Sequence, residues 1–158
     1  MMYLAMDLSM NSPAFAVLKL LNGRLSVVDL SSIKQNTKKS HGYRLFVTYN
    51  HIQELFKTYP IQEVVSEKGF SRHANTTQVL YMVHGVARVA AYQNGLEVHE
   101  ITPTTVKKHV AGSGKASKEQ VADGVRGFFK EELFFKNDDE SDAVGVGVAH
   151  LVEKGRLK

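Results

Sequence analysis

The sequence predicts an α/β protein with a mixed five-stranded sheet, in which an antiparallel meander continues into parallel strands and helices flank both. Three observations predict this fold. Short β-rich apolar runs come first along the chain, later runs alternate with segments of helical periodicity, and Asn22-Gly23 is typical of a two-residue hairpin turn. Strands that alternate with helices favour parallel neighbours joined by right-handed crossovers. Residues 1–158 are therefore expected to form a single domain.

Five runs have the character of strands, because they are short, rich in apolar residues and bounded by turn-forming residues. They are residues 3–8, 14–21, 24–30, 61–66 and 96–101. The first run carries Asp7 at its carboxyl end, and the fourth is followed directly by Glu67. The polar, lysine-rich stretch at residues 31–42 is predicted to be a mobile loop.

Five segments are predicted as helices from their apolar periodicity or from capping residues at their starts. They are residues 43–59, about 75–93, a short helix begun by Thr102-Pro103, about 117–129, and about 139–153. The second of these helices is apolar on more than one face. Such a helix is either enclosed in a core or shared with a partner chain.

Composition excludes several classes of function. The chain has no cysteine, which removes thiol nucleophiles, cysteine-based zinc sites and disulfides. No apolar run approaches the roughly 20 residues that cross a bilayer, and the first residues do not resemble a signal peptide. We expect a cytoplasmic protein with no membrane partner.

Charge is distributed unevenly along the chain, although the net charge is only +4. Basic clusters of this kind either bind phosphate groups or form ordinary solvated faces. One cluster is Lys34, Lys38, Lys39 and Arg44, and the other is Lys107, Lys108, Lys115 and Lys118. Acids are concentrated between residues 131 and 142.

Four acids have positions that favour a shared site. Asp7 and Glu67 follow predicted strands, and Asp139 and Asp142 share one face of the last predicted helix. Turns and helix capping also explain acids at such places. Carboxylates that converge need cations, and oxygen ligands suit Mg²⁺ or Mn²⁺. Two such ions about 4 Å apart can hydrolyse a phosphodiester.

Two further features concern the last helix. Gly145 and Gly147 weaken a helix by roughly 1 kcal/mol each relative to alanine, so we expect them to allow close approach of its backbone to the sheet. Asp138 stands beside Asp139 and is also a helical neighbour of Asp142. Either Asp138 or Asp139 could therefore supply the third acid of the site.

Together these motifs resemble the RuvC-type Holliday junction resolvases of the RNase H-like nuclease superfamily, and most closely the bacteriophage members. The resemblance covers nearly the whole chain. Each motif is weak alone, but their order and spacing are specific. They are Asp7 after the first strand, Glu67 in Ser-Glu-Lys-Gly-Phe, Asp-Glu-Ser-Asp-Ala at residues 139–143, the helix at residues 84–91, and residues 105–107 with 112–121.

The resemblance implies a metal-dependent endodeoxyribonuclease that nicks opposed strands of a four-way junction as a homodimer, in a bacterial host cell. The metal-binding catalytic acids would be Asp7, Glu67, Asp139 and Asp142, with Mg²⁺ or Mn²⁺ and two ions per site. No small-molecule cofactor is implied. The residues expected to contact branched DNA are Phe70, Arg72, Lys107, Lys108, Lys115 and Lys118.

One departure from the family pattern and three alternatives stay open at this point. Many relatives have Asp-Pro-Gly after the first strand, whereas this chain has Asp7-Leu8-Ser9. The alternatives are another RNase H-like nuclease that acts on RNA or an RNA–DNA hybrid, a junction-binding protein without catalysis, and a fragment of an actin-like ATPase. The chain is too short for the two lobes of such an ATPase.

Overall fold

A computed structural model gives the fold and describes residues 1–69 and 73–158. The strands are β1 (Met2–Asp7), β2 (Ala14–Leu21), β3 (Arg24–Ser32), β4 (Glu63–Glu67) and β5 (Val98–Ile101). The helices are α1 (His41–Thr58), α2 (Ala74–Gln93), α3 (Pro103–Ala111), α4 (Lys118–Arg126) and α5 (Asp138–Glu153).

The strands form one mixed sheet in the order β3-β2-β1-β4-β5. The pairs β1–β2 and β2–β3 are antiparallel, and β1–β4 and β4–β5 are parallel. The predicted combination of a meander with parallel strands is therefore confirmed. In this arrangement β1, β3, β4 and β5 all run in one direction, so their carboxyl ends lie at one edge of the sheet, which we call the carboxyl edge.

The β2–β3 hairpin has the turn that its sequence predicts. Asn22 and Gly23 both adopt positive φ angles, 51° and 74°. Two-residue hairpins favour such angles because their twist matches that of the flanking strands. The turn places Leu21 opposite Arg24, and a register shift between Val17 and Leu18 then brings Ala14 opposite Ser32 at the carboxyl edge.

Helices cover both faces of the sheet and produce two cores. Leu4 and Met6 of β1 belong to a core with α1 and α2, whereas Tyr3 and Ala5 belong to a core with α3, α4 and α5. This separation follows from the alternation of side chains along a strand. α5 lies beside the central strands, and its residues from Ala143 to Leu151 are buried.

The prediction of a loop throughout residues 31–42 is wrong at both ends of this segment. β3 continues to Ser32, and α1 begins at His41 after Ser40, whose hydroxyl accepts a hydrogen bond from the Tyr43 N–H. Between them, the Gln35 N–H donates to the Asn11 carbonyl at 2.9 Å. These residues look like a loop because they are polar, but pairing with distant β2 and the β1–β2 connection orders them.

Smaller differences concern the ends of two other elements. β1 ends at Asp7 rather than Leu8, and α4 ends at Arg126 rather than near Phe129. Phe129 still packs into the core beneath α5. Across residues 1–69 and 73–158, no helix combines the length and the apolar character needed to cross a membrane.

The two glycines of α5 face different neighbouring elements. A Cβ at Gly147 would overlap the Leu18 side chain and lie 3.0 Å from the Ala5 Cβ, so this glycine allows α5 to lie directly on β1 and β2. A Cβ at Gly145 would instead lie 3.4 Å from Val125 of α4. The expected close approach to the sheet is therefore observed at Gly147, and Gly145 faces the neighbouring helices.

Gly147→Ala should lower the free energy of unfolding by about 1–3 kcal/mol, because the added methyl group overpacks the sheet face. Gly145→Ala in the same helix is the matched control. A Cβ there meets its nearest atom at 3.4 Å, which is an ordinary contact, so alanine should stabilise the helix by roughly 0.5–1 kcal/mol. Urea denaturation at one protein concentration measures both. Equal stabilisation by the two substitutions would contradict the close packing of α5.

Candidate active site

Three carboxylates meet at the carboxyl edge of the sheet. Asp7 is the last residue of β1, and the first turns of α5 carry Asp139 and Asp142 above it. One carboxylate oxygen from each lies within 4.8 Å of the others. Because β1 and β4 are parallel, Glu67 at the end of β4 belongs to the same edge. Its charge raises the pKa of Asp7.

The geometry separates Asp139 from Asp138. Asp139 belongs to the cluster with Asp7 and Asp142, whereas Asp138 does not. Residues three apart on a helix project from the same face, and Asp139 and Asp142 have that spacing. Asp138 still lies near enough to raise the pKa of Asp142. Asp139, and not Asp138, is therefore grouped with Asp7 and Asp142.

Burial and mutual repulsion disfavour the charged forms of these acids. Burial, followed by the charges of Asp142, Glu67 and Asp139, raises the pKa of Asp7 to about 8. Burial and the charge of Asp142 raise the pKa of Glu67 to about 7. The pKa of Asp142 is also raised, mainly by burial. A bound cation would reverse the electrostatic part of this cost.

The donor set fits a divalent cation. Every candidate ligand is a carboxylate oxygen, which is the ligand type that Mg²⁺ and Mn²⁺ prefer. The acids are only partly buried, so an ion can reach them from solvent. They are also close enough for one ion to contact more than one residue. Asp7, Glu67, Asp139 and Asp142 are the residues that would hold such an ion.

A cavity of about 270 Å³ places two lysines beside these acids. Glu67 and Asp142 line it together with Lys107 of α3 and Lys118 of α4. The charge of Lys118 lowers the pKa of Asp7, and both lysines lower that of Glu67. Because neither lysine has a carboxylate oxygen within 4 Å among the described residues, both ammonium groups remain available to a phosphate.

Local sequence explains how the two lysines reach the site. Thr102 follows β5 directly and caps α3 by accepting a hydrogen bond from the Thr105 N–H, so α3 starts at the carboxyl edge. Ser117 and Gln120 form the predicted capping box, which makes Lys118 the first residue of α4. Gly124 allows α3 and α4 to touch, since a Cβ there would overlap the Val110 carbonyl oxygen.

Of the other four residues predicted to bind DNA, the structure describes Lys108 and Lys115. Lys108 and Lys115 are exposed and do not line the cavity. They lie on either side of Gly112, which ends α3 with a φ of 80°. Phe70 and Arg72 lie outside the described residues.

A polar network that the sequence did not predict holds the start of α5. Glu140 is 4% exposed, and its carboxylate accepts hydrogen bonds from the Ser32 hydroxyl at 2.8 Å and the Lys136 N–H at 3.0 Å. Asn137 caps the helix at the Glu140 N–H and also donates to Ser32. Asparagine three residues before glutamate is a recognisable capping pattern, but the contact with β3 has no local signature.

Carboxylates gathered at strand ends beside phosphate-accessible lysines define a class of protein, the metal-dependent enzymes that act on phosphodiesters. Comparison with known proteins gives the family. The family model described as crossover junction endodeoxyribonuclease RuvC matches residues 3–150. The chain belongs to this family, whose nucleases are metal-dependent, and the resemblance to RuvC-type proteins is confirmed.

Individual relatives agree with this assignment. Crossover junction endodeoxyribonuclease RuvC of Alkaliphilus metalliredigens is 31% identical over 151 residues, which are 95% of this chain and 92% of that protein. Its counterpart from Caldanaerobacter subterraneus is 27% identical over 159 residues, covering 100% and 96%. The fold is similar to that of T. thermophilus RuvC, solved in complex with Holliday junction substrate, with a TM-score of 0.89 at 22% identity over 100% of this chain and 98% of that one.

The metal-free protein should lose stability as the pH rises from about 4.5 to about 8. Asp7 and Glu67 have pKa values of about 8 and about 7 when folded, against ordinary values of 3.8 and 4.5. Between these values the folded chain retains protons that the unfolded chain has released, so stability falls with rising pH until the folded carboxyls ionise. Melting temperatures in chelator-containing buffer measure the effect.

Asp7→Asn is the control for this pH dependence. Burial lowers the pKa of His51, His84 and His150, so these residues change stability in the opposite direction in both proteins. The substitution removes one titrating carboxyl and relieves repulsion on the others. Its melting temperature should decline less with pH than that of the wild type, and parallel curves would contradict the strained acidic site.

Proposed function

We propose that this protein is a metal-dependent endodeoxyribonuclease that resolves four-way DNA junctions and other branched DNA by phosphodiester hydrolysis. The observation that carries the proposal is the convergence of acids and lysines at one edge of a RuvC-family fold. Asp7, Asp139 and Asp142 are grouped there, and Glu67 shares a cavity with Lys107 and Lys118.

The proposed cofactor is Mg²⁺, with Mn²⁺ able to replace it and two ions in each site. Asp7, Glu67, Asp139 and Asp142 would hold the ions. When bound, such ions activate water and stabilise the leaving oxygen in phosphodiester hydrolysis. The acids themselves are prepared for this role because the sheet and α5 hold them together at the cost of raised pKa values.

The chain's own residues bind and orient the DNA strand. Lys107 and Lys118 flank the acids across the cavity, where their ammonium groups attract the scissile phosphate and offset its charge. Lys108 and Lys115 extend this positive surface beyond the cavity. Phe70 and Arg72 are proposed to contact DNA at the crossover, where bases unstack and an aromatic ring can stack on them.

A homodimer would allow opposed strands to be cut. α1 and α2 leave an apolar groove between them, and large side chains on it are exposed, including Phe46 at 61%, Tyr81 at 61% and Val89 at 56%. Exposed apolar surface of this kind marks an interaction site. A second copy on α2 would form an isologous contact and bring two active sites into one particle.

Asp7→Asn and Glu67→Gln should each lower junction cleavage in Mg²⁺ by more than the roughly 10- to 100-fold that is typical for partners outside the first coordination shell. Junction affinity should persist, because it depends on basic residues spread over the surface. Cleavage is measured on a four-way junction, a fork, a duplex and an RNA–DNA hybrid, and binding is measured in chelator.

Asp123→Asn is the matched charge control, because Asp123 is paired only with Arg126 in the described structure and lies outside the acidic cluster. This variant should cleave like the wild type. Full activity of either site variant would contradict the assignment of the acids. Preferential cleavage of the hybrid by the wild type would redirect the proposal to an RNA-processing nuclease.

Val89→Glu should convert the protein to a monomer at micromolar concentration, because it places a charge in the apolar groove. Leu21→Glu is the control, since Leu21 is 55% exposed but lies at the β2–β3 hairpin. Sedimentation velocity gives the mass of each variant, and a plasmid cruciform assay reports whether both strands are nicked together. A wild type that sediments as a monomer and still cuts both strands would contradict the dimer.

A further inference from the structure

The basic cluster at residues 34–44 begins at the same edge of the sheet as the acids. β3 ends at Ser32 on the carboxyl edge, and the Ser32 hydroxyl donates to Glu140 in the first turn of α5. The chain then passes the β1–β2 connection, where the Gln35 N–H donates to the Asn11 carbonyl, and enters α1 at His41. The cluster therefore extends from the β3 side of the acidic site, whereas Lys107 and Lys118 lie toward β5.

Positive charge in this segment is not neutralised by neighbouring acids. Residues 30–53 contain four lysines and arginines and no aspartate or glutamate. Lys34, Lys38 and Lys39 are exposed. Within residues 1–69 and 73–158, none of these basic side chains has a carboxylate oxygen within 4 Å. An unpaired cluster of this kind attracts a polyanion.

The start of α1 adds a second positive element. A long helix carries a partial positive charge at its amino end, and its first backbone N–H groups have no intrahelical acceptors. α1 has 18 residues and no acid in its first turn, and Ser40 caps it at the Tyr43 N–H. Lys39 is held over the Tyr43 ring, 5.2 Å from its centroid, and so stays beside this helix end.

Arg44 adds a buried positive charge to the first turn of α1. Arg44 is only 9% exposed, and its Nη1 donates to the Asn11 side chain, but its buried Nε has no hydrogen-bond partner in the described structure. Gln35 fixes the same turn by donating to the Arg44 carbonyl at 2.8 Å. A buried cation without a counter-ion is costly to the folded protein, and an anion bound nearby would offset that cost.

We infer that the amino end of α1, with Lys38, Lys39 and Arg44, is a second phosphate-binding surface for the DNA backbone. The inference rests on the proposed action on DNA and extends it. Acids line the Lys107–Lys118 cavity, and this surface begins on the β3 side of the same carboxyl edge, so a strand bound at both crosses the acidic site. The surface recognises phosphates and carries no base preference.

The test is the salt dependence of binding to a four-way junction in chelator, where no cleavage occurs. The variant Lys38→Gln/Lys39→Gln should bind less tightly than the wild type. The slope of log affinity against log salt should become shallower by about 0.9 for each DNA phosphate that the variant no longer neutralises, using the duplex value. Plain duplex should show the same change, because phosphates are common to both substrates.

Lys57→Gln/Lys154→Gln is the matched control. It removes the same charge from exposed lysines, one at the opposite end of α1 and one after α5. Its affinity and slope should equal those of the wild type. Arg44→Met should also weaken junction binding, and its slope of log affinity against log salt should be shallower than that of the wild type. If Arg44→Met does not fold, the comparison of Lys38→Gln/Lys39→Gln with its control pair decides the test by itself.

The outcomes separate this inference from the proposed function. Wild-type slopes in Lys38→Gln/Lys39→Gln, or an equal weakening in the control pair, would overturn the second phosphate surface even if the wild type cleaves junctions. Absence of junction cleavage by the wild type in Mg²⁺ would overturn the proposed function, and binding in chelator would still test the surface.

Discussion

Mutual repulsion of carboxylates at one edge of the sheet is the constraint on which the rest of the structure depends. Asp7 and Asp142 are held close to other acids although burial and like charges raise their pKa values. The backbone keeps these acids together despite the repulsion, because parallel β1 and β4 place Asp7 and Glu67 at the same edge of the sheet. A bound cation would relieve the repulsion between these acids, which favours cation binding by the folded chain.

Holding α5 in place is the packing problem that follows from this repulsion. Gly147 lets the helix backbone lie against Leu18 and Ala5, and the buried Glu140 ties its first turn to Ser32 of β3. Together these contacts fix the distance of α5 from the sheet and its rotation about its own axis. A rotation of α5 would move Asp139 and Asp142 away from Asp7. The packing of α5 in the core therefore determines the geometry of the site.

Different surfaces around the acids would serve the two tasks of a junction enzyme, which are DNA binding and dimer formation. Positive groups lie on two sides of the acidic site, in the Lys107–Lys118 cavity and at the amino end of α1. Apolar side chains lie instead in the groove between α1 and α2. α1 contributes to both surfaces, because its first turn is basic and one of its faces is apolar. DNA contact and dimer contact would therefore be adjacent in the assembled protein.

The sequence by itself determined the order of strands and helices, the Asn22-Gly23 turn and the four acids, because each has a local signature in periodicity, turn chemistry or motif. It left Asp138 and Asp139 equivalent, since both lie three or four residues from Asp142, and only the rotation of α5 on the sheet distinguished them. It also predicted a loop throughout residues 31–42. Tertiary structure decided these points because the pairing of Ser32 with Ala14, its bond to Glu140 and the burial of Arg44 all join residues that are distant in the chain.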